Sequence, residues 1–292
     1  MESAATEVWR AALEAWPWLV GSAAVLVALA LALRARARRR RVRPGRLGRP
    51  PRHPVVLAHG LLGFDEIRLG RASHRYFRGV PERLEREGCV VHACRVSKTA
   101  SVADRAAELA AFVRALPARR VNLVAHSMGG LDARYALARL GLAGRVASLV
   151  TVGTPHQGTP LADLGAALAR RTRAWSALDR LGVNLDALGD LTTVRMAEFN
   201  AAVPDVRGLM YASVVGAPPR RRHVSPLLVP TWLWLDHPVG PNDGIVPAAS
   251  QRWGDVLEEI DADHLAQIGW SRRFDAAELY AELLRELRGR GL

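Results

Sequence analysis

At Asn122-Leu-Val-Ala-His-Ser-Met-Gly-Gly130 an apolar strand, Val121–Ala125, passes into a helical stretch, Met128–Leu140, with only His126 and Ser127 between them. So short a strand-to-helix turn restricts the fold, because the strand must be interior and the helix must return onto its sheet. The turn brings the positions two before and two after the serine together, so both must be small, and they are Ala125 and Gly129. The serine hydroxyl then points out of the sheet, and the helix aims its N-terminal amides at the same place. An ordinary helix N-cap also puts serine at such a position. The pentapeptide alone leaves nucleophile and cap both open.

The flanking pattern supports an interior strand. Pro54–His59 is a short apolar strand, Tyr76–Glu87 reads as a helix closed by Gly88, and Cys89–Val96 is the next strand. From Ser101 to Leu116 the apolar residues Val102, Ala106, Leu109, Val113 and Leu116 fall on one helical face, with Pro117 just beyond. Val146–Val152 is a further strand. This alternation predicts an α/β fold, a mostly parallel sheet with helices on both faces. Thr159 to Val203 reads as mainly helical, Leu209–Val215 and Val256–Ile260 as strands, and Asp275–Leu287 as an amphipathic helix. Residues 158–235 are expected to form a helical cap. Leu161, Leu164, Leu168, Trp175, Leu178 and Leu181 are its candidates for an acyl pocket or lid, although core packing is the commoner role for such residues.

The formal charge of +13 suggests nucleic acid only until it is located. Ten arginines lie between Arg34 and Arg52, and the body after them is mildly basic. They lack interleaved aromatics and adjoin an apolar run, so nucleic acid is not the expected partner. That run, Ala15–Leu33, has 19 residues without a charge and as a helix rises about 28 Å, close to a bilayer's hydrocarbon thickness. Trp16 and Trp18 sit at its N-terminal end, and Glu2, Glu7 and Glu14 precede it, the reverse of a signal peptide. The expectation is a single transmembrane anchor at 15–33 within an N-terminal segment 1–33. An Arg/Pro-rich linker at 34–53 follows, and then the body at 54–292. The arginine block predicts a cytoplasmic body and can also hold anionic headgroups. Cys89 and Cys94 sit on one strand too far apart to bridge, so no intrachain disulfide is expected.

A serine nucleophile needs donors for an oxyanion, a base, and a group to orient the base. His59-Gly-Leu-Leu-Gly63 follows the first strand of the body, where glycines let the backbone come close. The N–H groups of Leu61 and Met128 are the expected oxyanion donors. After a strand–serine–helix element of this kind the acid precedes the histidine. Asp243, in Asn242-Asp-Gly-Ile-Val-Pro247, and His264, after Val256–Ile260, satisfy both order and context. The adjacent pair Asp236 and His237 is the competitor, and His59 is expected to be structural.

Together these residues resemble a known family. Pro54-Val-Val-Leu-Ala-His-Gly-Leu-Leu-Gly-Phe-Asp-Glu-Ile67 and Tyr76-Phe-Arg-Gly-Val-Pro81 are similar to the start of the bacterial triacylglycerol lipases of the Pseudomonas and Burkholderia type. The similarity continues through Val121–Gly130, Val152-Gly-Thr-Pro-His-Gln-Gly-Thr159, Leu191–Asn200, Asn242–Pro247 and Asp263-His264-Leu265. It implies an α/β-hydrolase fold and carboxylic ester hydrolysis without a cofactor. It also implies Ser127 as nucleophile, Asp243 as acid, His264 as base, and the Leu61 and Met128 amides as oxyanion donors. Three departures stand out. The chain carries an anchor rather than a secretion signal, it has no counterpart of the family's disulfide, and Ala266 stands where many members place a calcium-binding aspartate. The resulting expectation is a lipase or esterase acting on lipid-like esters at a bacterial inner membrane, without structural calcium. An acyltransferase using the same residues, or a catalytically idle membrane-tethered binding module, are the alternatives.

Overall fold

The computed structural model describes residues 51–61, 66–69, 72–171 and 186–292. The expected anchor at 15–33, the linker up to residue 50, and Trp175, Leu178 and Leu181 lie outside them. Among the described residues no helix is long and apolar enough to cross a membrane.

In chain order, β1 (Val55–Ala58) is followed by an antiparallel pair, β2 (Glu66–Leu69) and β3 (Ala72–Arg75). Next come α1 (Val80–Arg86), β4 (Val91–Cys94), α2 (Val102–Ala115), β5 (Val121–His126), α3 (Met128–Arg139) and β6 (Val146–Val152). Then follow α4 (Pro160–Arg171), α5 (Asp186–Asp190), α6 (Thr193–Ala202), β7 (Met210–Gly216), α7 (Val229–Val239), α8 (Ala248–Gln251), β8 (Asp255–Ile260) and α9 (Ala276–Gly289). Six strands pair in the order β4-β1-β5-β6-β7-β8, every pair parallel.

Because β1, β5 and β6 are covered on both faces, every residue in them is buried. The side-chain period of two divides them between two cores. Val55, Leu57, Val124, Val150 and Val152 pack with Leu84 of α1 and Leu279, Leu283 and Leu287 of α9. Val56, Ala58, Leu123, Ala125 and Leu149 pack with Leu109 and Val113 of α2 and Ala133 and Leu137 of α3. The edge strand β8 exposes Asp255, Val256, Glu258 and Glu259, and its acidic side chains discourage pairing with a further strand. Cys89 and Cys94 form no disulfide and are buried in different cores.

Two boundaries differ from the sequence reading. Helix α1 begins at Val80 rather than Tyr76, because Gly79 takes φ 76° and Pro81 then occupies the first turn. The segment 158–235 is not continuous cap, because β7 passes through the sheet between β6 and β8 and its last five residues are buried. The covering over the sheet comes in two pieces, α4 to α6 before β7 and α7 after it, and α4 packs against α7. Leu168 is buried, whereas Leu161 and Leu164 are half-buried.

Candidate active site

Ser127 sits at the C-terminal end of β5 with φ 57° and ψ −133°, the only non-glycine residue with positive φ among the described residues. Holding a residue there costs on the order of 1–3 kcal/mol, so the surroundings must impose it. They do so from both sides. The Ser127 N–H donates to Val152 O at 2.9 Å, and its carbonyl accepts the Gly130 N–H at 3.0 Å and the Thr154 hydroxyl at 2.8 Å. A Cβ on Gly129 would lie 2.7 Å from the carbonyl oxygens of both Ala58 and His59, so α3 can start against β1 only with glycine at that position.

The loop after β1 closes on the same point. A Cβ on Gly60 would lie 2.6 Å from Ser127 Cβ and 3.0 Å from its Oγ. His59 turns away into structural contacts: Nε2 accepts the Val96 N–H at 3.3 Å, and Nδ1 lies 2.9 Å from Gly60 O. Neither the Leu61 N–H nor the Met128 N–H meets an acceptor among the described residues.

His264 follows β8 on a turn capped by Asp263, whose Oδ1 accepts the N–H groups of Leu265 and Ala266 at 3.0 and 2.7 Å. Asp243 lies in the turn between α7 and α8, where Asn242 Oδ1 accepts the Gly244 N–H at 2.8 Å. The two turns are tied by the His264 N–H on Asp243 O at 2.9 Å. Their side chains meet as well. His264 Nδ1 is 2.7 Å from Asp243 Oδ2, and His264 Nε2 is 3.0 Å from Ser127 Oγ. Asp243 is fully buried, and its Oδ1 accepts the N–H groups of Ile245 and Val246 at 2.9 and 2.7 Å, which satisfies the charge of a carboxylate. His264 is 9 % exposed and Ser127 7 %, so the relay is closed to solvent at its Asp243 end. The arrangement can move a proton from Ser127 Oγ to His264 while Asp243 holds the ring.

The competing residues fall elsewhere. Asp236 and His237 are exposed on α7. His223 pairs with Asp261 at 2.5 Å. His156 is buried against Trp253, with ring centroids 5.2 Å apart. Among the described residues no group of three or more His, Cys, Asp and Glu side chains has metal-binding spacing.

Sequence reading missed Gln267, Tyr76 and Arg105. Gln267 Nε2 donates to Asp243 Oδ2 at 3.0 Å. Tyr76 Oη accepts the Gly60 N–H at 3.2 Å. Arg105 Nη2 donates to His59 O at 2.8 Å, and its Nε donates to Asp132 Oδ2 at 2.9 Å. Only Gln267 left a local signal, an amide three residues beyond His264 at the end of a strand.

Against known proteins, residues 53–174 match the model of the α/β hydrolase fold. A triacylglycerol lipase of Pseudomonas fragi is 31 % identical over 82 % of this chain and 98 % of its own length. One from Vibrio cholerae is 32 % identical over 74 % of this chain and 80 % of its own. The crystal structure of the mature Bacillus licheniformis lipase BlEst2 superposes with a TM-score of 0.64 at 25 % identity, covering 83 % of this chain and 96 % of that one.

Proposed function

We infer the following for a chain that belongs to the triacylglycerol lipase family within the α/β-hydrolases, and is therefore a carboxylic ester hydrolase of the lipase or esterase kind. Ser127 is the nucleophile, His264 the general base and Asp243 the acid that orients it. The single observation that carries this is the unbroken relay from Ser127 Oγ through His264 to the buried Asp243, at 3.0 and 2.7 Å.

The Ser127 hydroxyl donates to His264 Nε2, and His264 Nδ1–H donates to Asp243. As Oγ attacks the ester carbonyl, its proton passes to Nε2 and the carbonyl oxygen becomes an oxyanion. The Leu61 and Met128 N–H groups donate to that oxyanion, each worth about 3 kcal/mol in the transition state. His264 then gives the proton to the leaving alcohol. Water, deprotonated by the same ring, releases the acid from the Ser127 ester. No cofactor enters any step.

The substrate class we propose is a lipid-like ester held beneath the two-piece covering of α4 to α6 and α7. The apolar run 15–33 and the arginines after it support a location at a bacterial inner membrane with the body on the cytoplasmic side.

The test is hydrolysis of p-nitrophenyl esters of increasing chain length by the full-length protein in detergent, beside Ser127→Ala. Turnover that rises toward long acyl chains and vanishes with the serine is the expected result. Turnover that survives Ser127→Ala sinks the assignment. A protein that stays in the soluble fraction after lysis sinks the membrane placement.

A further inference from the structure

Behind Asp243 lie three polar side chains with no part in the steps above: Gln267, His126 and Tyr76. Gln267 and His126 have no exposed surface. Gln267 Nε2 donates to Asp243 Oδ2, the oxygen that also meets His264 Nδ1. Its amide fills a slot left by two glycines. A Cβ on Gly153 would lie 2.1 Å from Gln267 Oε1, and one on Gly216 would lie 2.1 Å from Nε2. On the far side of the serine, the Gly60 N–H reaches Tyr76 Oη, which is 2.8 Å from His126 Nδ1. His126 Nε2 and Gln267 Oε1 are both enclosed without a hydrogen bond of ordinary geometry. Burial and then the His264 charge lower the His126 pKa, and a hydrogen-bonding contribution from the Gln267 side chain opposes them.

Counting hydrogens gives these groups one direction. An amide beside a carboxylate turns its NH2 toward it, which leaves Gln267 Oε1 for His126. Tyr76 Oη, 2.8 Å from His126 Nδ1, has the hydrogen that an accepting Nδ1 needs. Burial, and then the nearby His264, hold the His126 imidazole well below its ordinary pKa, so the ring is neutral. With Nδ1 accepting, its one proton is on Nε2, the atom left for Gln267 Oε1. Each donor then has its own acceptor, from the Gly60 amide to the Asp243 carboxylate.

We propose that Gly60, Tyr76, His126, Gln267 and Asp243 form one directional hydrogen-bond chain, in which Tyr76, His126 and Gln267 are positioning residues that tie the acid to the oxyanion loop. The proposal rests on the roles given above to Asp243 and Leu61. It makes the oxyanion loop and the acid a single unit, so that damage at either end reaches the other.

Two measurements on the full-length protein test it. In the Ser127→Ala protein, long-range 15N–1H NMR should show His126, assigned by its loss in His126→Asn, as the neutral Nε2–H tautomer. An Nδ1–H tautomer or an imidazolium at neutral pH overturns the chain. This readout needs no catalysis, so it stands apart from the fate of the nucleophile assignment. The second is a double-mutant cycle on kcat/KM for p-nitrophenyl butyrate. Tyr76→Phe and Gln267→Leu should each lower kcat by about tenfold with KM little changed, and the double variant should lose about as much as one alone. A loss equal to the product of the two overturns the coupling.

Should Gln267→Leu fail to melt cooperatively, Gln267→Glu takes its place. The titratable side chains that meet Gln267 are Asp243 and His126, and those that meet His264 are Asp243, Ser127 and His126. A second carboxylate there favours protonated His264 and moves the acid limb of kcat/KM to higher pH. A limb that stays in place overturns the proposal.

Discussion

Arg105 and Asp132 form a buried ion pair, 2.7 Å between Nη2 and Oδ2, that joins α2 to the first turns of the helix after Ser127. The same guanidinium donates to the His59 carbonyl, so one side chain fixes the helix after Ser127 relative to the loop after β1. Burial raises the Asp132 carboxyl to about 7 against the pull of the guanidinium. Both partners are fully enclosed, so removing one strands the other. Arg105→Leu should cost about 3–5 kcal/mol of unfolding free energy. Chemical denaturation checks it, and a loss under about 1 kcal/mol, the scale of a surface ion pair, would show that the pair does not anchor the loop.

Ser127 carries the backbone strain of the site. Glycine adopts its φ of 57° freely, at the cost of a more disordered unfolded chain. Relief of about 1–3 kcal/mol outweighs that cost of about 0.5–1 kcal/mol. Ser127→Gly should therefore melt a few degrees above Ser127→Ala while both are inactive. Equal melting temperatures would mean that the turn is unstrained.

Gly60 is the point where the oxyanion loop touches the serine. A methyl group there meets Ser127 Cβ at 2.6 Å, and one of the two must move. A displacement of about 1 Å at a reacting centre costs about 100-fold in rate. Gly60→Ala should lower kcat/KM by at least that factor, with a folded protein by circular dichroism. Activity within about threefold of wild type would remove this glycine from the site's requirements.

His156 gives the stability a pH dependence. It lies 3.0 Å from Thr151 Oγ1 and 3.4 Å from Arg134 Nη1, and burial, then the Arg134 charge, keep its pKa well below the ordinary 6.5. Below that ordinary value the unfolded chain binds a proton that the folded chain refuses, so the contribution is present above pH 6.5 and lost as pH falls. Compared with His156→Gln, the wild type should lose about 1.4 kcal/mol more per pH unit between about pH 6 and 5. Parallel slopes in urea titrations would contradict a neutral buried ring.

Ser127, Asp243 and His264 were legible in the chain because each is marked by its neighbours. A tight turn admits only small residues beside its serine, and Asp243 and His264 each follow an apolar run that gives way to turn residues, the first folded as helix α7 and the second as strand β8. Tyr76 and Arg105 carry no such marks. Nothing local separates Tyr76 from a core aromatic, and α1 starts four residues later than periodicity suggests because Gly79 and Pro81 set its beginning. The single cap expected over 158–235 failed for a related reason. Leu209–Val215 reads as a strand in the chain, but only the sheet order shows that it takes the fifth place in the sheet and so splits the cover into two pieces.

The sequence by itself determined what is governed by neighbouring residues: the alternation that makes a parallel sheet, the sharp turn at Ser127, and the turns that carry Asp243 and His264. Tertiary structure decided which groups meet across the sheet. His126 reaches Tyr76 across 50 positions, Gln267 reaches Asp243 across 24, and Arg105 reaches His59 across 46. The physical reason is that buried donors and acceptors must be satisfied, and register and packing bring their partners from other strands and helices.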